Sequence, residues 1–202
     1  MGEEGSQQSI PSSRKVAIVA NMTALALLGN YALVGIPNVE LGSVVIFITA
    51  LVFGLPMGIW TSLLTSIIFS TINPWGPFIP QIWFTQMIGW LYIAMVGGLL
   101  GRRKLNTYQK PIEMFVVGAF LAAVFDLVTN IGYSLVYNVP YAVAVVLGLP
   151  FMVIHVVSNA FILAFVVPIV EPIIKKNMAS MIWNTPNEEL YIAKDQESGE
   201  EM

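Results

Sequence analysis

The chain has 202 residues, of which 56% are hydrophobic and only 10% are charged. A soluble domain keeps its surface hydrated with roughly 25% charged residues. This composition therefore excludes an ordinary soluble globular protein and predicts that much of the surface faces lipid. The chain has no cysteine, which excludes a disulfide framework and a thiol nucleophile.

Polar tails flank the apolar region. Residues 1–13 are small and polar, which predicts a disordered N-terminal tail. From residue 177 to 202 acidic residues accumulate with few apolar anchors, which predicts a solvated cytoplasmic tail. We expect no cleavable signal peptide, because the first apolar segment is too long for one. Residues 14–176 form the predicted membrane domain.

Six apolar segments follow one another at helix-length spacing, separated by Pro, Gly or charge. They run from about residues 16–36, 42–53, 56–73, 80–100, 111–138 and 150–174. At about 1.5 Å per residue, four are long enough to cross roughly 30 Å of hydrocarbon. The second and third are shorter and are also compatible with one long kinked span. The apolar stretch 138–149 is expected to be an outer loop, interfacial helix or lid.

The basic residues decide between five and six spans. They are Arg14, Lys15, Arg102, Arg103, Lys104, Lys110, Lys175, Lys176 and Lys194. With six spans and an internal N-terminus, all of them lie on the cytoplasmic side, as the positive-inside rule requires. With five spans, Arg14 and Lys15 would lie opposite the other clusters. The sequence therefore predicts an all-α integral membrane protein, a six-transmembrane-helix bundle with both termini in the cytoplasm.

Hydrogen-bonding side chains are costly inside a membrane, so their positions are informative about function. One face of the fifth span carries four of them at helical spacing. They are Asp126, Asn130, Tyr133 and Tyr137. His155 and Asn159 share a face in the first turns of the sixth span. All lie in the predicted outer half, whereas the inner halves of the fourth and sixth spans are apolar or small. A pore would be polar along its whole length, so the pattern predicts a cup open to the outside.

These residues also have structural explanations. Asp126 can act as an interhelical hydrogen-bonding group, and His155 can be a satisfied structural histidine. A single histidine excludes a multi-histidine metal site, and we expect neither a metal nor a cofactor. Two other functions stay open: an intramembrane enzyme with Asp126 and His155 as an acid–base pair, and a self-sufficient carrier or channel.

The first span carries Ala20 and Ala24 one turn apart. Small residues at this spacing let another helix approach closely. Three short segments accompany this pair: Pro37–Gly42, Phe53–Gly58 and Asn73–Gly76. Together with six short spans, they make residues 16–176 resemble the substrate-binding S component of an energy-coupling factor (ECF) vitamin transporter.

The resemblance implies a cell-membrane protein, not an enzyme, that binds a vitamin-like compound on the outside. Ala20 and Ala24 would contact a membrane scaffold (T) subunit that carries two cytoplasmic ATPases. Besides these subunits we expect the lipid bilayer, and no nucleic acid, as a partner. The candidate ligand contacts are Asn38, Glu40, Asn73, Trp75, Gln86, Asp126, Asn130, Tyr133, His155 and Asn159.

The outer half contains no Lys or Arg, which disfavours a strongly anionic ligand. Its Trp and Tyr side chains suit a flat ring system, neutral or mildly cationic, with hydrogen-bonding groups matched by Asn and Gln. Among S components the chain most resembles those assigned to cobalamin-like compounds. Thiamine, riboflavin or a modified base are the other expected ligands.

Overall fold

The computed structural model describes residues 12–103 and 110–178. Within them the chain is all-helical, as predicted. The helices are α1 (Ser12–Ala32), α2 (Gly42–Phe53), α3 (Leu55–Thr71), α4 (Pro80–Leu100), α5 (Lys110–Tyr137) and α6 (Tyr141–Asn177). The predicted tails lie outside the described residues, apart from Ser12, Ser13 and Asn177, which are helical, and Met178, which caps α6.

Four helices are long and apolar enough to cross a membrane, namely α1, α4, α5 and α6. The other two, with 12 residues in α2 and 17 in α3, are shorter. This organisation is compatible with a membrane protein.

Helix α2 forms the centre of the bundle and contacts α1, α3, α4 and α6. Every residue of α2 except Val45 is buried, as expected for a helix that is apolar on all sides. Its approach to α4 depends on Gly97, where a Cβ atom would lie 2.6 Å from the backbone oxygen of Phe47. Although α2 is short, neighbouring helices surround it, so little of its surface is left uncovered.

Helices α2 and α3 are separated by Gly54 alone, whose φ of 93° favours glycine. Ala50 and Gly58, on either side of this joint, lie against each other. The two helices therefore fold back side by side. The sequence left open one kinked span here, and the structure has two separate helices.

Helix α6 begins at Tyr141 rather than at Pro150, so the expected outer loop 138–149 is a link of three residues followed by the first turns of a helix. Pro140 precedes these turns as the N-cap residue, and the Tyr141 hydroxyl donates to the backbone oxygen of Leu127 at 3.0 Å. Pro150 lies inside the helix, where it lacks the N–H that would bond the preceding turn. Packing against α5 thus extends α6 through a residue that sequence rules treat as a boundary.

The links between helices define two ends of the bundle. The loop end contains the links 33–41, 72–79 and 138–140, and the Tyr31 hydroxyl joins two of its chain segments by donating to the backbone oxygen of Ile72 at 3.1 Å. The basic end contains the α2–α3 joint, the C-terminal end of α4 and the start of α5. There Lys110 and Lys175 form ion pairs with the buried Glu171 of α6.

Candidate ligand-binding cavity

A cavity of about 750 Å³ lies at the loop end. Its walls come from the α1–α2 link, the end of α3 with the turn that follows, α4, α5 and the first turns of α6. Trp75 and Tyr137 are exposed at its rim, whereas Trp90 is 1% exposed at its base. The cavity therefore joins parts of the chain that are far apart in sequence.

Most of the predicted ligand contacts line this cavity. They are Asn38, Glu40, Trp75, Gln86, Asp126, Asn130, Tyr133 and His155. The structure places Asn73 and Asn159 outside the lining. The Asn73 side-chain oxygen accepts the backbone N–H of Trp75 at 2.9 Å, which shapes the turn that presents Trp75. The buried Asn159 donates to the backbone oxygen of His155 at 3.2 Å, one turn away on α6. That any of these residues contacts a ligand stays a prediction.

Five side chains connect the elements around the cavity. His155 Nδ1 on α6 lies 2.9 Å from Asp126 Oδ1 on α5, and His155 Nε2 lies 3.6 Å from Glu40 Oε1. The Ser43 hydroxyl donates to the same Glu40 oxygen. Trp90 Nε1 on α4 donates to Ser43 Oγ at 3.2 Å. An imidazole thus stands between two carboxylates. When both are ionised, the three groups carry net negative charge in either protonation state of the imidazole.

Glu40 belongs to the α1–α2 link. Burial raises the pKa of its carboxyl group, but the hydrogen bond and charge of a protonated His155, together with the hydrogen bond from Ser43, lower the pKa by more than burial raises it. The pKa of Glu40 consequently lies below its ordinary value of 4.5. We therefore assign a negative charge to Glu40 at neutral pH.

Three buried polar atoms of the lining have no hydrogen-bond partner among the described residues. They are Asp126 Oδ2, Asn30 Nδ2 and His155 Nε2, the last of which lies 3.6 Å from Glu40 Oε1. The side-chain oxygen of Asn30 accepts the backbone N–H of Gly42 at 2.7 Å, which fixes the orientation of the amide. A buried polar group left unpaired costs about 1–3 kcal/mol. Besides the His155 ring nitrogen, one acceptor (Asp126 Oδ2) and one donor (Asn30 Nδ2) are thus available to a ligand.

Aromatic rings line the base of the cavity. Trp90 lies between Phe69 and Phe125, with ring centroids 6.1 and 5.8 Å apart, and Phe125 lies edge-on to His155 at 5.5 Å. Tyr133 and Tyr137 stack at the rim with centroids 6.2 Å apart. Flat rings of this kind favour a flat or cyclic ligand.

No family model, curated protein or solved structure matches this chain. The family suggested by its short sequence segments stays a hypothesis, and function is inferred from the cavity itself. Within residues 12–103 and 110–178, no group of three His, Cys, Asp or Glu side chains is arranged to hold a metal ion.

The sequence-based site omitted Trp90, Asn30 and Phe125. Trp90 follows Gln86 by one helical turn, so helical spacing from that predicted contact could have included it. Asn30 is the last buried residue of α1, and its position near the predicted outer surface was a comparable indication. Phe125 precedes Asp126 and is typical of any apolar span, so its sequence context gave no indication.

Proposed function

We propose that this chain is the substrate-binding S component of an ECF-type importer for a vitamin-like micronutrient. It would be a multi-pass protein of the cell membrane with both termini in the cytoplasm. The observation that carries the proposal is the one-sided cavity of about 750 Å³, which is lined by polar and aromatic side chains at the loop end of the bundle.

The proposed orientation follows from charge. Arg102 and Arg103 follow α4 and Lys175 and Lys176 end α6, all at the basic end. Basic residues that flank membrane helices favour the cytoplasm. The basic end is therefore assigned to the cytoplasm, and the cavity at the opposite end opens outward.

Below the cavity the inward sides of α4 and α6 are apolar, which favours a binding protein over a channel. Helix α3 differs, because it buries the hydroxyl groups of Thr61, Ser62 and Thr65 in its middle. One turn past Trp90 on α4, Ile93 and Ala94 are buried, and Leu163 and Val167 of α6 are buried as well. A pore would continue with polar groups or water-filled space through this layer. A self-sufficient carrier would have to open the same layer to release its cargo.

The exposed side of α1 supports the proposed partner. Ala17, Ala20 and Ala24 are exposed, and α1 packs against α2 and α3 through its opposite side. A face of small residues permits close approach of another helix in lipid. We assign this face to the scaffold subunit of the importer, which also binds two ABC ATPases.

Cavity size bounds the ligand. Pockets of about 300–1,000 Å³ bury most of a drug-sized ligand, and this cavity of about 750 Å³ falls in that range. A compound of the size of thiamine or riboflavin would fit inside. A cobalamin-like compound would place only part of its structure there and leave the rest at the rim.

The contact between Asp126 and His155 is the observation that favours the alternative of an intramembrane enzyme. An acid–base pair needs a reacting partner within hydrogen-bonding distance. Among the described residues, the hydrogen-bond and ion-pair partners of the His155 ring are the carboxylates of Asp126 and Glu40. No hydroxyl group of the described chain is bonded to the ring to serve as a nucleophile, so binding is the favoured function.

The proposal is tested with the purified full chain. Small molecules that co-purify are identified by mass spectrometry, and tryptophan fluorescence is titrated with a panel of B vitamins. We expect saturable binding of one ligand per chain, no turnover, and no uptake by liposomes that contain the chain alone. Uptake without ATPases would indicate a carrier, chemical conversion of the ligand would indicate an enzyme, and the absence of any bound ligand would refute the proposal.

A further inference from the structure

We infer that the cavity selects an organic cation, a flat ring compound with a positively charged nitrogen on or beside the ring. This inference rests on the proposed function, because it specifies the ligand of the same cavity. Three observations support it: the charge of the lining, an unpartnered carboxylate oxygen and the aromatic base.

The titratable groups that line the cavity give it negative character. Glu40 and Asp126 face it, with His155 between them. The lining also contains Tyr133 and Tyr137, which are neutral in their protonated form. Since the imidazole contributes at most one positive charge, two ionised carboxylates leave the site negative. A cation would be stabilised there, and an anion would be repelled.

None of the residues that line the cavity is Lys or Arg. The basic residues of the described chain lie at the other end, and Lys110, at the start of the helix that carries Asp126, illustrates the separation. Lys110 and Asp126 are 16 positions apart on α5, which is about 24 Å at 1.5 Å per residue. Lys110 is also already paired with Glu171 at its own end of the bundle. Such a cation contributes little to neutralising the carboxylates.

The Asp126 carboxylate has one oxygen in use and one free. Oδ1 contacts His155 at 2.9 Å, whereas Oδ2 is buried without a partner among the described residues. An ionised carboxylate only accepts hydrogen bonds, so its natural ligand group is a charged N–H donor. Asn30 Nδ2, also buried and unpartnered, would donate to a carbonyl or hydroxyl group elsewhere on the ligand.

The aromatic base favours the same ligand class. The rings of Phe69, Trp90 and Phe125 adjoin one another at the cavity, and Trp75 lies at its rim. The face of an aromatic ring attracts a cation, most strongly for Trp. The arrangement combines a ring surface with a negative group, which suits a heteroaromatic cation better than a neutral ring.

The test compares pairs of probes that differ mainly in charge. Pyridoxamine is compared with pyridoxine, and 1-methylnicotinamide with uncharged nicotinamide. Riboflavin is the larger neutral compound and pantothenate the anion. Binding to the full-length protein in nanodiscs is measured by tryptophan fluorescence and isothermal calorimetry. The tightest-binding compound should be a cation. Pyridoxamine should bind about tenfold or more tightly than pyridoxine, as one charge-assisted hydrogen bond would give, whereas 1-methylnicotinamide, whose charged nitrogen carries no N–H, tests the effect of charge alone.

Variants identify the group responsible. Asp126→Asn and Glu40→Gln should each reduce the preference for the cation to about threefold or less. The matched control is Glu113→Gln, which removes a carboxylate from the first turn of the same helix, far from the cavity. This control should retain the full preference. Should Asp126→Asn fail to fold, Glu40→Gln in the α1–α2 link still provides the comparison.

The outcomes separate this inference from the proposed function. Tightest binding of riboflavin, pyridoxine, nicotinamide or pantothenate would overturn the inference and leave a ligand-binding function in place. A cation preference that survives both carboxylate variants would overturn it as well. Failure of every probe to bind, together with the absence of a co-purifying compound, would overturn the inference and the proposed function together.

Discussion

The contact between α5 and α6 below the cavity depends on Gly118. A Cβ atom at this position would lie 2.5 Å from the backbone oxygen of Asn159 and 3.0 Å from the Cα atom of Ala160. Non-bonded carbon atoms are most favourably placed about 3.5–4.0 Å apart, so Gly118→Ala would force the two helices apart by about 0.5–1 Å. Backbone atoms cannot rotate away as a flexible side chain can, and the strain would therefore persist.

The expected magnitude follows from two opposing effects. Overpacking a close contact costs about 1–3 kcal/mol, while replacing Gly by Ala inside a helix gains about 1 kcal/mol. The net change is a loss of up to about 2 kcal/mol in the free energy of unfolding. The same displacement reaches the cavity, because Asn159 donates to the backbone oxygen of His155. We expect this displacement to weaken the free energy of ligand binding by about 1 kcal/mol, which corresponds to about fivefold weaker affinity.

The assay has two parts. Unfolding by increasing concentrations of a denaturing detergent is monitored by circular dichroism, and the folded protein is titrated with ligand. Gly35→Ala is the matched control, since a Cβ atom there meets nothing within 4 Å. We expect Gly118→Ala to unfold at lower denaturant concentration than this control and to bind ligand more weakly. Equal stability and equal affinity in the two variants would refute the account of this helix contact.

Three further predictions concern other parts of the chain. Ala20→Trp should abolish co-purification with the scaffold subunit while ligand binding persists. The control Ile169→Trp, on an exposed face of α6, should assemble normally. Normal assembly of both variants would exclude this face of α1 as the contact with the scaffold subunit. The pKa of Glu40 lies below 4.5 in the folded chain, so its ionised carboxylate stabilises the fold fully above pH 4.5, and this stabilisation is lost as the pH falls through the folded-state pKa. Glu40→Gln should therefore flatten the acid side of a plot of unfolding free energy against pH. Glu171→Gln should lower the unfolding free energy by about 1–3 kcal/mol through loss of its contact with Lys110, and an unchanged unfolding midpoint would contradict this role.

Helix boundaries were predictable where Pro and Gly end an apolar run. The segments predicted at 42–53 and 80–100 coincide with α2 and α4. Gly54 fits the end of α2 through its positive φ, and Pro80 fits the start of α4, where a proline is tolerated in the first turn. The start of α6 was not predictable by the same rule, because contacts with α5 extend the helix through Pro150. Tertiary packing decides such a boundary, and a single sequence does not contain it.

The candidate site was predictable in part because helical spacing places Asp126 and Tyr133 on one face. Side chains from four other parts of the chain complete the cavity, and local spacing says nothing about their distance from α5. Asn159 illustrates the difference. It follows His155 by one turn, yet its amide bonds to the backbone of its own helix and it lies outside the lining.

The orientation of the cavity is tested most directly by labelling single cysteines in intact cells, since the natural chain contains no cysteine. Phe78→Cys lies in the exposed link 72–79 at the loop end, and Arg103→Cys lies at the exposed end of α4. A membrane-impermeant maleimide should label position 78 in intact cells and position 103 only after permeabilisation. Labelling of position 103 from outside, with position 78 protected until permeabilisation, would place the cavity on the cytoplasmic side and contradict an import function.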